Sequence, residues 1–393
     1  MRFWVTLLIT LLFVPGASAG EDSDAFKALY EKEWAFRLKE FPTLASGVGV
    51  HNYDDRLTHV APADQKRRYE YWKAIRAELE SISCDALERV ECINYRMFRR
   101  QMDNAIADYE IRGYLIPFNS DWGFYMAWSR LPQETNFSDQ QDFENYLSRL
   151  AEIPVVMDEY IGLMREGIKT GFTQPRIILD GRDKPIKAQL VEHVTESGFF
   201  QPFTEMPDSI SQENRATILK KAGSVIEHGV IPAYRRLLNF YHDEYVPGAR
   251  SDLGASQLPG GTRFYQEQIS LYATVDMTPS EIHEIGRSEV ARIRSEMDAI
   301  IEEVGEGKSF AEFLEFLRTD PQFYAKTPHE LLAEASYFAK KADGRLPALF
   351  GHMPRQPYGV APVPEEIAPF YTGGRYVGAA LDSHRGGYYW VNT

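Results

Sequence analysis

The sequence is poor in the residues that would declare a chemistry. It holds two cysteines, Cys84 and Cys92, among 393 residues, which excludes a four-thiolate zinc site. No Gly-x-Ser-x-Gly elbow, Gly-x-Gly-x-x-Gly turn or Walker-type loop occurs, and Gly223-Ser224 lies inside a helical run. A zinc helix of the common kind needs two histidines four apart, so that both reach one metal from one face, with a glutamate beside the first. His283-Glu284 has Arg287 at the fourth position and His329-Glu330 has Ala333; His242-Asp243-Glu244 and Glu227-His228 are equally incomplete. No catalytic and no metal-ligating residue is assigned within this chain. A basic stripe is also lacking. Acidic residues outnumber basic ones by 57 to 43 and the two signs interleave, so nucleic acid is not an expected partner.

Long apolar runs are missing after the first residues. Trp4–Val14 is an 11-residue apolar stretch, too short to cross a bilayer core of roughly 30 Å as a helix. Arg2 precedes it and Ala17-Ser18-Ala19 follows, so residues 1–19 read as a secretory signal peptide. The expected product begins near Gly20, carries no membrane span, and is exported to the periplasm or beyond the cell. An uncleaved anchor is the alternative. No cysteine follows the cleavage pattern, so lipid attachment there is not expected.

Export would permit a Cys84–Cys92 disulfide. On one helix, eight residues would separate the pair by about 12 Å, beyond the roughly 7 Å between Cα atoms that a bridge spans. Only a helix break near Ser83-Cys84-Asp85 allows the bond; the alternative is two buried thiols.

What is present is mostly helical pattern. Amphipathic periodicity runs over Asp24–Phe41, Pro62–Ile82 and Ala86–Ile111. Ser138-Asp139-Gln140-Gln141 has capping-box form. Ser211–Glu244 is one long helical run, which Pro232 should end or kink. Thr278-Pro279-Ser280-Glu281 caps a helix with a stripe of Ile282, Ile285, Ile293, Met297, Ile300, Ile301 and Val304, stopped by Gly305. Ser309-Phe310-Ala311-Glu312 and Thr327-Pro328-His329-Glu330 start two more, the second ending at Gly344. The Gly- and Pro-rich loop 246–261 places a boundary at 245/246, dividing a helical region, 20–245, from a second region, 246–393. From about 353 the texture changes. Tyr371–Tyr376 and Gly387–Thr393 suit short strands, and a strongly aromatic strand is an unusual terminus. Thr393 therefore reads as a truncation point, with the last strand expected to lack its partner. The aromatic content suits helical core packing, and equally a cleft lined for sugar or peptide.

The carboxyl-terminal third carries a resemblance. Leu258-Pro259-Gly260-Gly261, Tyr265, Thr278–His283, Glu289–Ile293, Phe310 and Asp320–Tyr324 occur in order. They are followed by Leu346–Phe350, Pro354-Arg355, Pro357–Val360, Pro362–Pro364, Tyr371–Tyr376 and Gly387–Thr393. This order resembles a bacterial exported family catalogued as domain of unknown function 885. One departure is Arg385-Gly386-Gly387, where the family usually has Arg-Pro-Gly before the last strand. The resemblance implies a mainly α, multi-helix fold similar to gluzincin-type peptidases, with a few short strands within 353–393. It implies a zinc-dependent peptidase-like hydrolase whose metal motif, His-Glu-x-x-Pro-Gly-His-His, would follow the last strand; zinc is thus expected in the complete protein and not in this chain. Residues 246–393 would be the first part of the peptidase-like region. Tyr388–Asn392 would run along a cleft that takes extended peptide, with Arg375, Tyr389 and Asn392 as candidate substrate-binding residues. A non-catalytic exported protein that binds peptides or glycans is the alternative.

Overall fold

The computed structural model describes residues 19–120, 122–365, 367–378 and 386–393. Most of the expected signal segment, and Arg385, lie outside the described residues. The protein is mainly α with one small sheet. Its described residues form two compact units, the first within 19–46 and 51–275, the second within 47–50 and 276–393. The division thus falls after Val275 rather than at 245/246. The glycine- and proline-rich loop lies within the first unit, where Leu258 is buried, and the helix after it, Gly261–Ala273, buries Ile269 and pairs Arg263 with Glu110.

The first unit is organised by the 31-residue helix Gln140–Thr170, which buries Phe143, Tyr146, Leu150, Ile153, Val156, Met157 and Met164 along one stripe. Its cap is Asp139, which accepts from the Asp142 amide at 3.2 Å, one residue beyond the serine expected from the sequence. Around it lie Phe199, Phe203, Ile218, Tyr234, Leu237 and Tyr245. Each such side chain contributes roughly 1.5–3 kcal/mol of burial. A second cluster joins Ala19–Glu40, Pro62–Leu79 and Arg89–Glu110 through Phe26, Leu29, Ile75, Leu79, Phe98 and Met102.

Cys84 and Cys92 border that second cluster and are joined as a disulfide with Cα atoms 5.0 Å apart. The geometry is available because Cys84–Ala86 is a 3-10 turn and the next helix begins only at Arg89. Helical register between the two cysteines is therefore interrupted.

Pro232 does not end its helix. Residues 212–248 stay helical through two π-turns, Ile226–Val230 and Tyr241–Tyr245. Each is followed at the second residue by a proline, Pro232 and Pro247. The amide of Ile231 bonds back five residues to Ile226 and that of Val246 to Tyr241. A wider turn ahead of each ring relieves the clash a proline makes with the preceding turn and absorbs its missing donor.

The second unit contains the helices Pro279–Val304, Phe310–Thr319 and Pro328–Asp343. Thr278 and Ser309 cap the first two with full capping boxes, and the Thr327 side chain accepts from Glu330. Three strands follow: β1 (Tyr358–Pro362), β2 (Gly374–Val377) and β3 (Gly387–Val391). Their order is β1-β3-β2, with β1 parallel and β2 antiparallel to β3. The last strand is therefore central and paired on both sides, which corrects the expectation that its partner is missing. β1 went unrecognised in the sequence because Pro357 and Pro362 bracket it. As an edge strand it tolerates proline, since one side of its backbone has no ladder to join.

Candidate functional site

The residues expected to bind substrate all fall on or beside this sheet, and the two-residue period of a strand decides which can act together. Tyr376 of β2 stands directly opposite Tyr389 of β3, and Arg375 opposite Trp390. Directly opposed residues share a face and neighbours alternate. Arg375 and Tyr389 are thus on opposite faces, and the sheet does not bring them to one pocket.

The Tyr389 face is open. Tyr376 is 58% exposed, Tyr389 41% and Tyr358 39%. Tyr389 lies over Gly374, where an added Cβ would come within 2.7 Å of its hydroxyl. Tyr376 lies over Gly387 in the same way. Each ring occupies the space left by the glycine diagonally across the two strands, so a side chain at either glycine would have to push a ring end aside. Tyr358 extends the row from β1, its hydroxyl 3.1 Å from Asp343 Oδ1 and 3.2 Å from the Ala339 carbonyl. Partial burial, and then the hydrogen bond and negative charge of Asp343, push that phenol above its ordinary pKa.

On the other face the Arg375 guanidinium stands 5.8 Å from the Tyr371 ring centre, and Tyr371 meets Trp390 edge-on at 5.8 Å. Asn392 is held by its surroundings. Its backbone amide donates to the Gly373 carbonyl at 2.9 Å, and its side-chain amide donates to Ala368 at 2.8 Å and Tyr371 at 3.3 Å. Those contacts fix the turn that delivers β2.

One edge of β2 has no backbone partner among the described residues. Because Asn392 bonds to Gly373, alternation along an antiparallel ladder turns the polar groups of Gly373, Arg375 and Val377 toward β3. Those of Gly374 and Tyr376 then face outward, where no backbone partner is found among the described residues. The inner strand, Tyr388–Asn392, spends its ladder groups on β1 and β2, so it is not itself an open edge of the sheet.

No group of three or more histidine, cysteine, aspartate or glutamate side chains is placed to hold a metal among the described residues. His283 and His329 are exposed in the first turns of their helices.

Sequence reasoning missed a histidine in the first unit. His59 Nδ1 lies 2.8 Å from Glu159 Oε1, and its Nε2 lies 3.8 Å from Glu152. The same glutamates accept from the backbone amides of Val60, at 2.8 Å, and Leu57. Burial lowers the His59 pKa, but the Glu159 hydrogen bond and the charges of Glu159, Glu152 and Asp64 outweigh it, and the net shift is upward. The only signal was Glu152 and Glu159 seven apart on one helix face. Nearby, the buried Arg149 donates to the carbonyls of Arg56 at 2.9 Å and Tyr53 at 3.2 Å. Together these contacts clamp residues 53–60 against the long helix. Elsewhere in this unit a groove of about 510 Å³ is lined by Tyr30, Trp34, Leu44 and Phe98 together with Glu31 and Arg37.

Helical packing plus a small mixed sheet makes this a mainly α protein. Residues 42–393 match the family described as "Bacterial protein of unknown function (DUF885)", and the chain belongs to it. The fold is similar to a candidate lipoprotein from Colwellia psychrerythraea, with TM-score 0.85 and 20% identity, covering 94% of this chain and 67% of that one. It is also similar to a candidate lipoprotein of unknown function from Shewanella oneidensis, with TM-score 0.60 and 16% identity, covering 96% of this chain and 65% of that one. No curated protein matches the chain. None of the described helices is long and apolar enough to cross a membrane.

Proposed function

We propose that this chain is the amino-terminal portion of an exported, zinc-dependent, peptidase-like hydrolase, and that its sheet is the wall on which an extended peptide lies. The observation that carries the reading is the outward backbone of Gly374 and Tyr376 beside the open pair Tyr376 and Tyr389. A peptide added along β2 would gain main-chain hydrogen bonds from the first and side-chain contacts from the second. The metal belongs to the resemblance drawn from the sequence, and its ligands would come from polypeptide beyond these residues. Within the reading, this chain's own residues bind and orient; Arg375, on the opposite face, packs the sheet and does not touch the peptide.

The test is metal analysis of the complete gene product, followed by incubation with a peptide library read by mass spectrometry. Cleavage that a chelator stops is the expected result. A complete protein that holds no zinc and cuts no peptide defeats the hydrolase reading. A second reading, a non-catalytic binder of peptides or glycans, is favoured by the groove around Tyr30 and Trp34. Glycan binding that is lost in Trp34→Ala but kept when the sheet is altered would select it.

A further inference from the structure

The described residues of the second unit bury little of their apolar surface. Among its described residues, the buried hydrophobic side chains are Ile301, Val363 and Val391. The helices Phe310–Thr319 and Pro328–Asp343 bury none of their residues, and Pro279–Val304 buries Ile301 alone. Along that 26-residue helix, Ile285, Ile293, Met297, Ile300 and Val304 are all exposed. Their spacing is the stripe a helix presents to a packing partner. Tyr337 and Phe338, on the Pro328–Asp343 helix, are exposed by about 60%. A unit of this size ordinarily buries well over half of the surface its unfolded chain exposes. By contrast, the Gln140–Thr170 helix buries a full stripe.

We propose that the exposed stripe of Pro279–Val304, with Tyr337 and Phe338, is the docking surface for the polypeptide by which the longer relatives exceed this chain. The Colwellia protein shares this fold over 94% of the present chain, yet about a third of that protein has no counterpart here. A segment of that size, continuing the same fold, is enough to cover three amphipathic helices. The occupant is therefore a helical, apolar-faced stretch of the same polypeptide in the complete protein. The inference shares with the function proposed above the premise of further polypeptide, but none of its chemistry: docking stands or falls without zinc or peptide cleavage.

The first test is superposition on the solved Colwellia chain. Residues overlying Ile285, Ile293, Met297 and Val304 are expected to be covered by its unmatched third. Finding them open to solvent, or covered by a second copy, overturns the proposal. The second test is hydrogen exchange and light scattering on Gly20–Thr393. The expected result is a monomer in which amides of 285–304 exchange at least about tenfold faster than those of the Gln140–Thr170 helix. Ile293→Asp should then lower binding of a hydrophobic dye and leave the melting temperature unchanged. A dimer that Ile293→Asp dissociates, or a protected stripe in a monomer, contradicts the proposal.

Discussion

Tyr376 and Tyr389 face each other across β2 and β3, and each lies over the glycine of the opposite strand two residues away, Gly387 and Gly374. The arrangement is reciprocal. It pins the register of β2 on β3, because a one-residue slip of β2 would turn Tyr376 to the other face and part it from Tyr389.

Replacing either tyrosine by alanine should therefore destabilise the second unit by about 0.5–1 kcal/mol, the range of an aromatic cross-strand pair. The double variant should lose less than the sum of the two. A double-mutant cycle followed by chemical denaturation measures the coupling, and strict additivity would show that the rings do not support each other.

Gly387→Ala tests the same packing from below. The added methyl meets the end of the Tyr376 ring rather than backbone, so the ring should swing off the sheet while the strand survives. A Tyr376 nuclear magnetic resonance signal that leaves its native position, with β-sheet amide protection kept, is the expected outcome. An unchanged ring environment would refute the contact.

The Cys84–Cys92 bridge closes a short loop beside the Phe26, Leu79 and Phe98 cluster. The loop-entropy relation gives about 2–3 kcal/mol for a loop of this size. Reductant, or the Cys84→Ser and Cys92→Ser pair, should lower the thermal midpoint of the first unit by several degrees. No change on reduction would mean that the bond carries no stability.

His59 makes part of the first unit's stability depend on pH. Its pKa is raised in the folded protein by Glu159 and Glu152, against the effect of burial. The contribution is therefore fully present below the ordinary histidine value of about 6.5 and is lost as pH rises through the folded value. Stability of the wild type relative to His59→Gln should shrink as pH rises from about 6 to 8. A difference that grows over that interval would reverse the assigned sign.

Much of the helical architecture was legible because its signals are local. Thr278 with Glu281 and Ser309 with Glu312 announce helix starts within four residues, and the structure caps both helices with them. What was hidden depends on distant partners or on compensation. Pro232 read as an end or a kink because sequence periodicity carries no sign of a π-turn ahead of it. β1 was masked by its flanking prolines, which only an edge position makes harmless. His59 and Glu159 are separated by 100 residues, and the two faces of the sheet could not be sorted before the register of β2 on β3 was known. Arg375 and Tyr389, plausible together as a list, part company once that register is fixed.

The most direct test of the central claim, that the outer edge of β2 takes extended peptide, is titration of Gly20–Thr393 with a labelled pool of unstructured peptides. Tyr376→Pro removes the outward donor and leaves the amides that face β3, while Tyr376→Ala keeps the donor and removes the ring. With the β3 amides still protected in both variants, the proline variant should bind at least about tenfold more weakly than the alanine variant. Equal affinities would show that the backbone of β2 does not hold the peptide.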